Sequence, residues 1–297
     1  MRYKVEKLLV LGGRPTGYLD EWDITSNLKL AEWKLDLHVE ELASRDVLER
    51  LEALPEEQRS AARQTAEKLV KGAEKSPGGA PARSVVEDAA AFYVVARGLL
   101  DEGRADGLTV NCSGWKSEVG RPLPCVALTL LQENGYLAVC QGDMDALFTG
   151  VLFHRVGARP TYVGGALAAD GGLFDVSHCV LPRNMTGLDS PPRAWYLADY
   201  HGGGEGCTVH TTVPAGTRIT LGRLTRGLET LLLTTGAVED CADRTDRCRN
   251  TLYVRTECDI LAPLKGHQQH LVVAAGDHRD GLGAAARDCG IAVERFS

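Results

Sequence analysis

The spacing of apolar positions divides the chain into two regimes. In the first, short continuous apolar runs alternate with longer stretches of helical spacing. Lys7 to Leu11, Leu37 to Leu42 and Gly107 to Cys112 read as strands, and Tyr136 to Cys140 is a fourth, too apolar for a sheet edge. Ser26 can cap a helix over 27–33, and Ser44 with Asp46 opens one that runs to Leu54, before Pro55. Glu56 to Lys75 is a helix with a solvated face and apolar residues at Ala62, Ala66, Leu69 and Val70; Ser84 to Glu102 carries a core stripe at Val85, Ala89, Phe92, Val95 and Leu99. Cys125 to Leu131 is an apolar helix, Glu133-Asn134-Gly135 a turn, and Gln141-Gly142-Asp143 a polar loop before another helix. Strand and helix in alternation predict a parallel sheet with helices on its faces.

The second regime begins near Thr161 to Gly165 and Leu173 to Cys179, both strand-like. After Pro191-Pro192, the runs Thr208 to Thr212, Thr217 to Leu224, Leu228 to Thr235 and Thr251 to Thr256 are rich in β-branched residues and punctuated by glycine and proline. That is the pattern of an antiparallel barrel or sandwich. Leu271 to Ala275 is a last buried strand, after which Asp277 can cap a closing helix. The expected fold is therefore α/β, a Rossmann-like domain over 1–135 followed by a portion over 136–297 that contains an antiparallel β-barrel.

Composition narrows the partners. At 297 residues there is ample material for a real core, and a net charge of −7 with a pI near 5.7 argues against a nucleic-acid backbone as the main partner. The N-terminal apolar run is too short for a secretory signal, and no stretch of about 18 apolar residues could span a bilayer. Nine cysteines, an odd number without zinc-ribbon spacing, suggest buried free thiols in a reducing, cytoplasmic setting. Cys125 and Cys179 in particular read as packing thiols.

Candidate chemistry centres on Asp143. A carboxylate just past the carboxyl end of a buried strand stands where open α/β sheets bind ligands, and it is equally placed to cap the helix that follows. His178 ends an apolar run, where a satisfied core histidine is the plain alternative. His267 and His270, three apart, can face one cavity or decorate a surface. The glycine-rich run from His201 to Gly206 is a loop over a ligand or a barrel corner. Gly12-Gly13 after the first strand lacks the spacing of a phosphate-binding loop. Arg14 as a hydroxyl donor and Trp115 as a stacking plane fit a sugar site or a surface loop alike.

The stretch PCVALTLLQENGYLAVCQGDMDALFTG, the segment SHCVLP and the closing GHQQHLVVAAGDHRDGL occur in the order in which similar motifs occur in the L-fucose and L-arabinose isomerase family, which this chain resembles over roughly residues 8 to 295. The resemblance implies a cytosolic aldose-ketose isomerase using a divalent ion, usually manganese, with the sugar bound between subunits of a homo-oligomer. It places the ion on Asp143, His178 and His270, makes Asp143 the catalytic carboxylate, and sets Gln141, His267, Arg14 and Trp115 around the substrate. An oxygen and imidazole set of this kind suits manganese better than a thiophilic ion. A metal would polarise the sugar carbonyl while a carboxylate shuttles the proton.

Two departures accompany the likeness. Gln141 stands where the family loop has an acid, and an amide cannot serve as a base. The second acidic ligand is also missing, with Glu118, Glu133 and Glu205 the nearest substitutes. The family's further N-terminal domain has no counterpart here, so either a separate chain supplies the cover or the site is open. A non-catalytic sugar-binding or subunit-type member, or a metal-dependent epimerase or lyase, is the alternative.

Overall fold

A computed structural model describes residues 3–14, 28–120, 122–168, 172–261, 264 and 270–295. His267 and the expected helix start at Ser26 lie outside these residues.

The strands of the first regime form where continuous apolar runs predict them. They are β1 (Lys7–Leu11), β2 (His38–Leu42), β3 (Gly107–Val110) and β4 (Leu137–Val139), and they make one parallel sheet in the order β2-β1-β3-β4. Helices α1 (Leu28–Leu35), α2 (Ser44–Glu52), α3 (Glu56–Gly72), α4 (Arg83–Gly103), α5 (Cys112–Glu118), α6 (Cys125–Glu133) and α7 (Met144–Val156) fill the intervals. Alternation along β1 sends Leu8 and Val10 to the side of α1 and α7, and Leu9 and Leu11 to the side of α2, α4 and α6. Both faces are covered, which is why the parallel strands read as unbroken apolar runs. Gly107 is required here: a Cβ would stand 2.5 Å from the Leu137 carbonyl oxygen of the neighbouring strand.

Beyond α7 the strands form separate, mainly antiparallel sheets. Strands β5 (Tyr162–Ala168) and β6 (Leu173–His178) are followed by a separate hairpin, β7 (Trp195–Tyr200) and β8 (Glu205–Thr211). Then come β9 (Arg218–Leu224), β10 (Thr230–Asp243), β11 (Asn250–Thr256), β12 (His270–Ala275), α8 (Arg279–Asp288) and β13 (Ala292–Arg295). The order β11-β6-β5-β12-β9-β10 closes through pairing of β10 with β11, giving a six-stranded antiparallel barrel, with β13 added parallel to β10 outside the closed ring. Its interior is apolar, with Tyr162, Phe174, Val176, Leu221, Leu252 and Val273 among the buried residues. The fold class expected from the sequence is the one observed.

The structure also departs from that expectation in places. The run at Thr208 to Thr212 belongs to the β7–β8 hairpin rather than the barrel, and packs with Leu197, Cys207 and Val209 on α3, α4 and α6. Ser113-Gly114-Trp115 is helical rather than a loop, because the Asn111 side chain accepts a hydrogen bond from Gly114 N and caps α5. Val70, expected inward, is 41% exposed. The parallel sheet takes in β4, past residue 135, and α7 shares one apolar cluster with β1, β4, β9, β12 and α8. Core packing therefore runs continuously from sheet to barrel through α7.

Within that shared core, His154 on α7 is buried, its Nε2 has no hydrogen-bond partner among the described residues, and burial pushes its pKa down to about 3. The folded protein refuses a proton that the unfolded chain accepts below pH about 6.5, so this residue removes stability as pH falls from there toward about 3. Chemical denaturation across that window should show His154→Leu with a flatter pH dependence than the parent, by up to roughly 1.4 kcal/mol per pH unit. Identical slopes would show that His154 is not buried neutral.

Candidate functional site

The loops at the carboxyl ends of β3 and β4, the end of β6 and the β7–β8 turn meet around a cavity of about 460 Å³. Its walls are unusually sulfur-rich: Cys112, Cys125, Cys140, Cys179 and Cys248 all line it. All nine cysteines of the chain are free thiols. Cys179, His201 and Cys248 come from just past β6, the β7–β8 turn and the segment before β11, and their ligand atoms lie within 4.8 Å of one another. His201 Nε2 is 3.0 Å from Cys248 Sγ, and the imidazole stacks on Tyr200 with ring centroids 3.8 Å apart. Among the described residues this is the one group of three or more potential ligands so closely placed.

The electrostatics of the trio are unequal. The thiols of Cys125 and Cys248 hydrogen-bond to Cys179 and pull its pKa well below the ordinary thiol value, while the same contacts, together with burial, hold Cys125 and Cys248 high. Among the three, Cys179 is the thiol whose pKa is driven down, by these sulfur donors and by His201. His201 (φ +55°) and Gln141 (φ +64°) both hold left-handed backbone conformations that side chains other than glycine rarely adopt, and both line the cavity.

His178 lines the same cavity. Its Nδ1 accepts a hydrogen bond from Cys179 N at 2.9 Å, which leaves the proton of the neutral ring on Nε2. Among the described residues that Nε2 has no hydrogen-bond partner, and burial pushes the imidazole pKa down to about 4, so the ring is neutral at physiological pH.

Asp143 takes a different part. It caps α7 by accepting from Ala146 N at 2.9 Å, and both of its oxygens accept from Arg223 Nη1, at 3.1 and 2.9 Å. His270 Nδ1 lies 2.9 Å from Oδ2. Asp143 and Arg223 are fully buried, and Asp145 reaches Arg223 Nη2 at 3.4 Å. Burial alone would raise the Asp143 carboxyl, but Arg223 and His270 hold it far below its usual value. His270 faces His178 edge-on, ring centroids 5.6 Å apart. The three residues expected to bind a cation do sit together, but protein donors already surround the carboxylate, and the second acid at this junction, Asp145, is engaged by Arg223. Glu133 is engaged by Arg183, Glu205 pairs with Lys116 at 2.9 Å, and Glu118 is exposed. Among the described residues, no oxygen shell of the manganese type surrounds Asp143.

The remaining expected residues part company. Gln141 lines the cavity. Arg14 does not: it pairs at the surface with Glu41 at 3.2 Å. Trp115 is a correction, being fully buried in the core, edge-on to Phe92 at 5.2 Å and bonded through Nε1 to the Pro122 carbonyl, with no face for a sugar. Cys125 and Cys179, read as packing thiols, are buried in an apolar cluster and also line the cavity. The sequence signals that could have exposed the trio were the number of unpaired cysteines and a histidine opening a glycine-rich turn.

Comparison of the chain with protein-family models and with curated proteins gives no match.

The Asp143–Arg223 pair generates a stability prediction. Asp143→Asn leaves a buried guanidinium facing a neutral amide, with Asp145 as its remaining acid, and should cost about 3 kcal/mol in urea denaturation. A loss within experimental error would mean that the pair is not the junction described here.

Proposed function

We propose that the protein is a metal-dependent enzyme acting on a small hydroxy-carbonyl compound, with its ion held by Cys179, His201 and Cys248. The observation that carries this reading is the convergence of those three ligand atoms, within 4.8 Å of one another, on the wall of a cavity of about 460 Å³. Three protein ligands facing a cavity leave a fourth position for water or substrate, as catalytic zinc sites do. Two sulfurs and an imidazole select a thiophilic ion of the zinc class over manganese. Such an ion, when bound, supplies Lewis-acid polarisation of a carbonyl or hydroxyl oxygen.

The chain's own residues supply the rest. His178 offers a neutral Nε2–H as donor to a substrate oxygen, and Gln141 adds an amide that can donate or accept. Asp143 acts at one remove, through His270 and Arg223, rather than as a base. Isomerisation or epimerisation of a pentose or 6-deoxyhexose is the reaction class we assign, on the family resemblance together with a cavity of the size small-molecule sites have. A reducing cytosol suits the free thiols. A second copy, or a separate chain, is the cover we assign for keeping water from the reacting centre. Among the described residues, no helix is long and apolar enough to cross a membrane.

Titration of the reduced, metal-free protein with Co²⁺ tests the assignment. Sulfur-to-cobalt charge-transfer absorption should saturate at one equivalent; Cys179→Ser and Cys248→Ser should each weaken binding at least about tenfold, and Asp143→Asn, confirmed folded by circular dichroism, should retain it. Absorption without the sulfur band, abolished by Asp143→Asn, would return the ion to Asp143, His178 and His270. Proton exchange at C2 of the candidate sugars in deuterated water, followed by NMR, then separates an isomerase or epimerase from a binding protein that takes up metal and sugar without exchange.

A further inference from the structure

Three cysteines of the cavity lie outside the Cys179–His201–Cys248 trio: Cys125, which bonds to Cys179, and the pair Cys112 and Cys140. Cys112 is the first residue of α5, just past β3, and Cys140 follows β4; these strands are neighbours in the parallel sheet, with Thr109 paired to Val139. The sheet register therefore delivers both side chains to the same edge of the cavity, where their Sγ atoms lie 2.9 Å apart. Gln141 N donates to Cys112 Sγ at 3.4 Å, and the Cys112 thiol lies 3.3 Å from the Val110 carbonyl oxygen, so the first sulfur is held facing the second. Cys112 is partly exposed and Cys140 is buried, so a reagent entering the cavity meets Cys112 first.

We propose that Cys112 and Cys140 form a reversible disulfide, a redox modification site on the wall of the cavity, with a hydroperoxide as the oxidant. In the first step the Cys112 thiolate attacks the distal oxygen of hydrogen peroxide: an S–O bond forms, the O–O bond breaks, hydroxide leaves, and Cys112 becomes a sulfenic acid. Cys140, as its thiolate, then attacks that sulfur, the S–O bond breaks with loss of hydroxide, and the proton released from Cys140 converts it to water. Overall two thiols and one peroxide give one disulfide and two waters, with sulfur oxidised and peroxide oxygen reduced. A dithiol reductant reverses the change by exchange. Closing from contact distance to the roughly 2.05 Å of a disulfide draws the loops after β3 and β4 together, and so reshapes the wall that carries Gln141. The site does not depend on a metal being bound.

Peptide mapping of the full chain, after treatment with one equivalent of hydrogen peroxide, tests this with and without added Zn²⁺. Accessible thiols in the denatured protein should fall from nine to seven, and the linked peptides should weigh two hydrogens less than their reduced sum. Fragmentation must place the link on Cys140 rather than Cys125, which share a tryptic peptide. Cys112→Ser and, separately, Cys140→Ala should each abolish the link, whereas Cys258→Ser should leave it. A first link at Cys125–Cys179 or Cys179–Cys248, over-oxidation of Cys112 without a link, or nine thiols surviving would each overturn the proposal.

Discussion

The buried ion pair between Arg223 and Asp143 ties the two halves of the molecule together. Asp143 caps α7 at the carboxyl end of the parallel sheet, Arg223 sits in β9, and His270 opens β12, so one carboxylate fixes a helix start against two barrel strands. Burying two charges is costly, and a pair of this kind holds only when its remaining hydrogen-bonding capacity is filled. Here the carboxylate takes bonds from Ala146 N, Arg223 and His270. Removing one partner strands the other, which makes the junction an all-or-nothing arrangement.

That arrangement decides which chemistry is left for the cavity. A carboxylate whose oxygens are already satisfied, and which is held ionised by an adjacent guanidinium, is a poor base and a poor ligand for a hard cation. Sulfur and imidazole are prominent among the groups that line the cavity: Cys179, His201 and Cys248, with His178 beside them. The site is thus softer than the oxygen-rich one its position in the fold suggests. His178 and His270, with rings in edge contact, lie where the buried tie and the cavity meet.

Much of the fold was legible because burial leaves a simple trace. Lys7 to Leu11 is a strand to the residue, since a parallel strand covered on both faces must be apolar throughout. The barrel showed in β-branched runs such as Arg218–Leu224 and Asn250–Thr256. Trp195–Tyr200 escaped notice although it is largely apolar and has no exposed residue, and Ala292–Arg295 because it is only four residues long. The site was legible only in part. Asp143 and His270 announced themselves by position, but Arg223, which determines what Asp143 does, lies 80 residues away in a strand with no local signature. The trio's ligands come from three separate elements and meet only through barrel closure and the left-handed turn at His201, features no spacing rule encodes.

The atoms around a bound ion decide between the two ligand sets. X-ray absorption fine structure of the protein loaded with one equivalent of Zn²⁺ reports them directly. Two sulfur scatterers near 2.3 Å with a nitrogen near 2.0 Å are the expected result, whereas a shell of oxygen and nitrogen alone near 2.0–2.2 Å would contradict it.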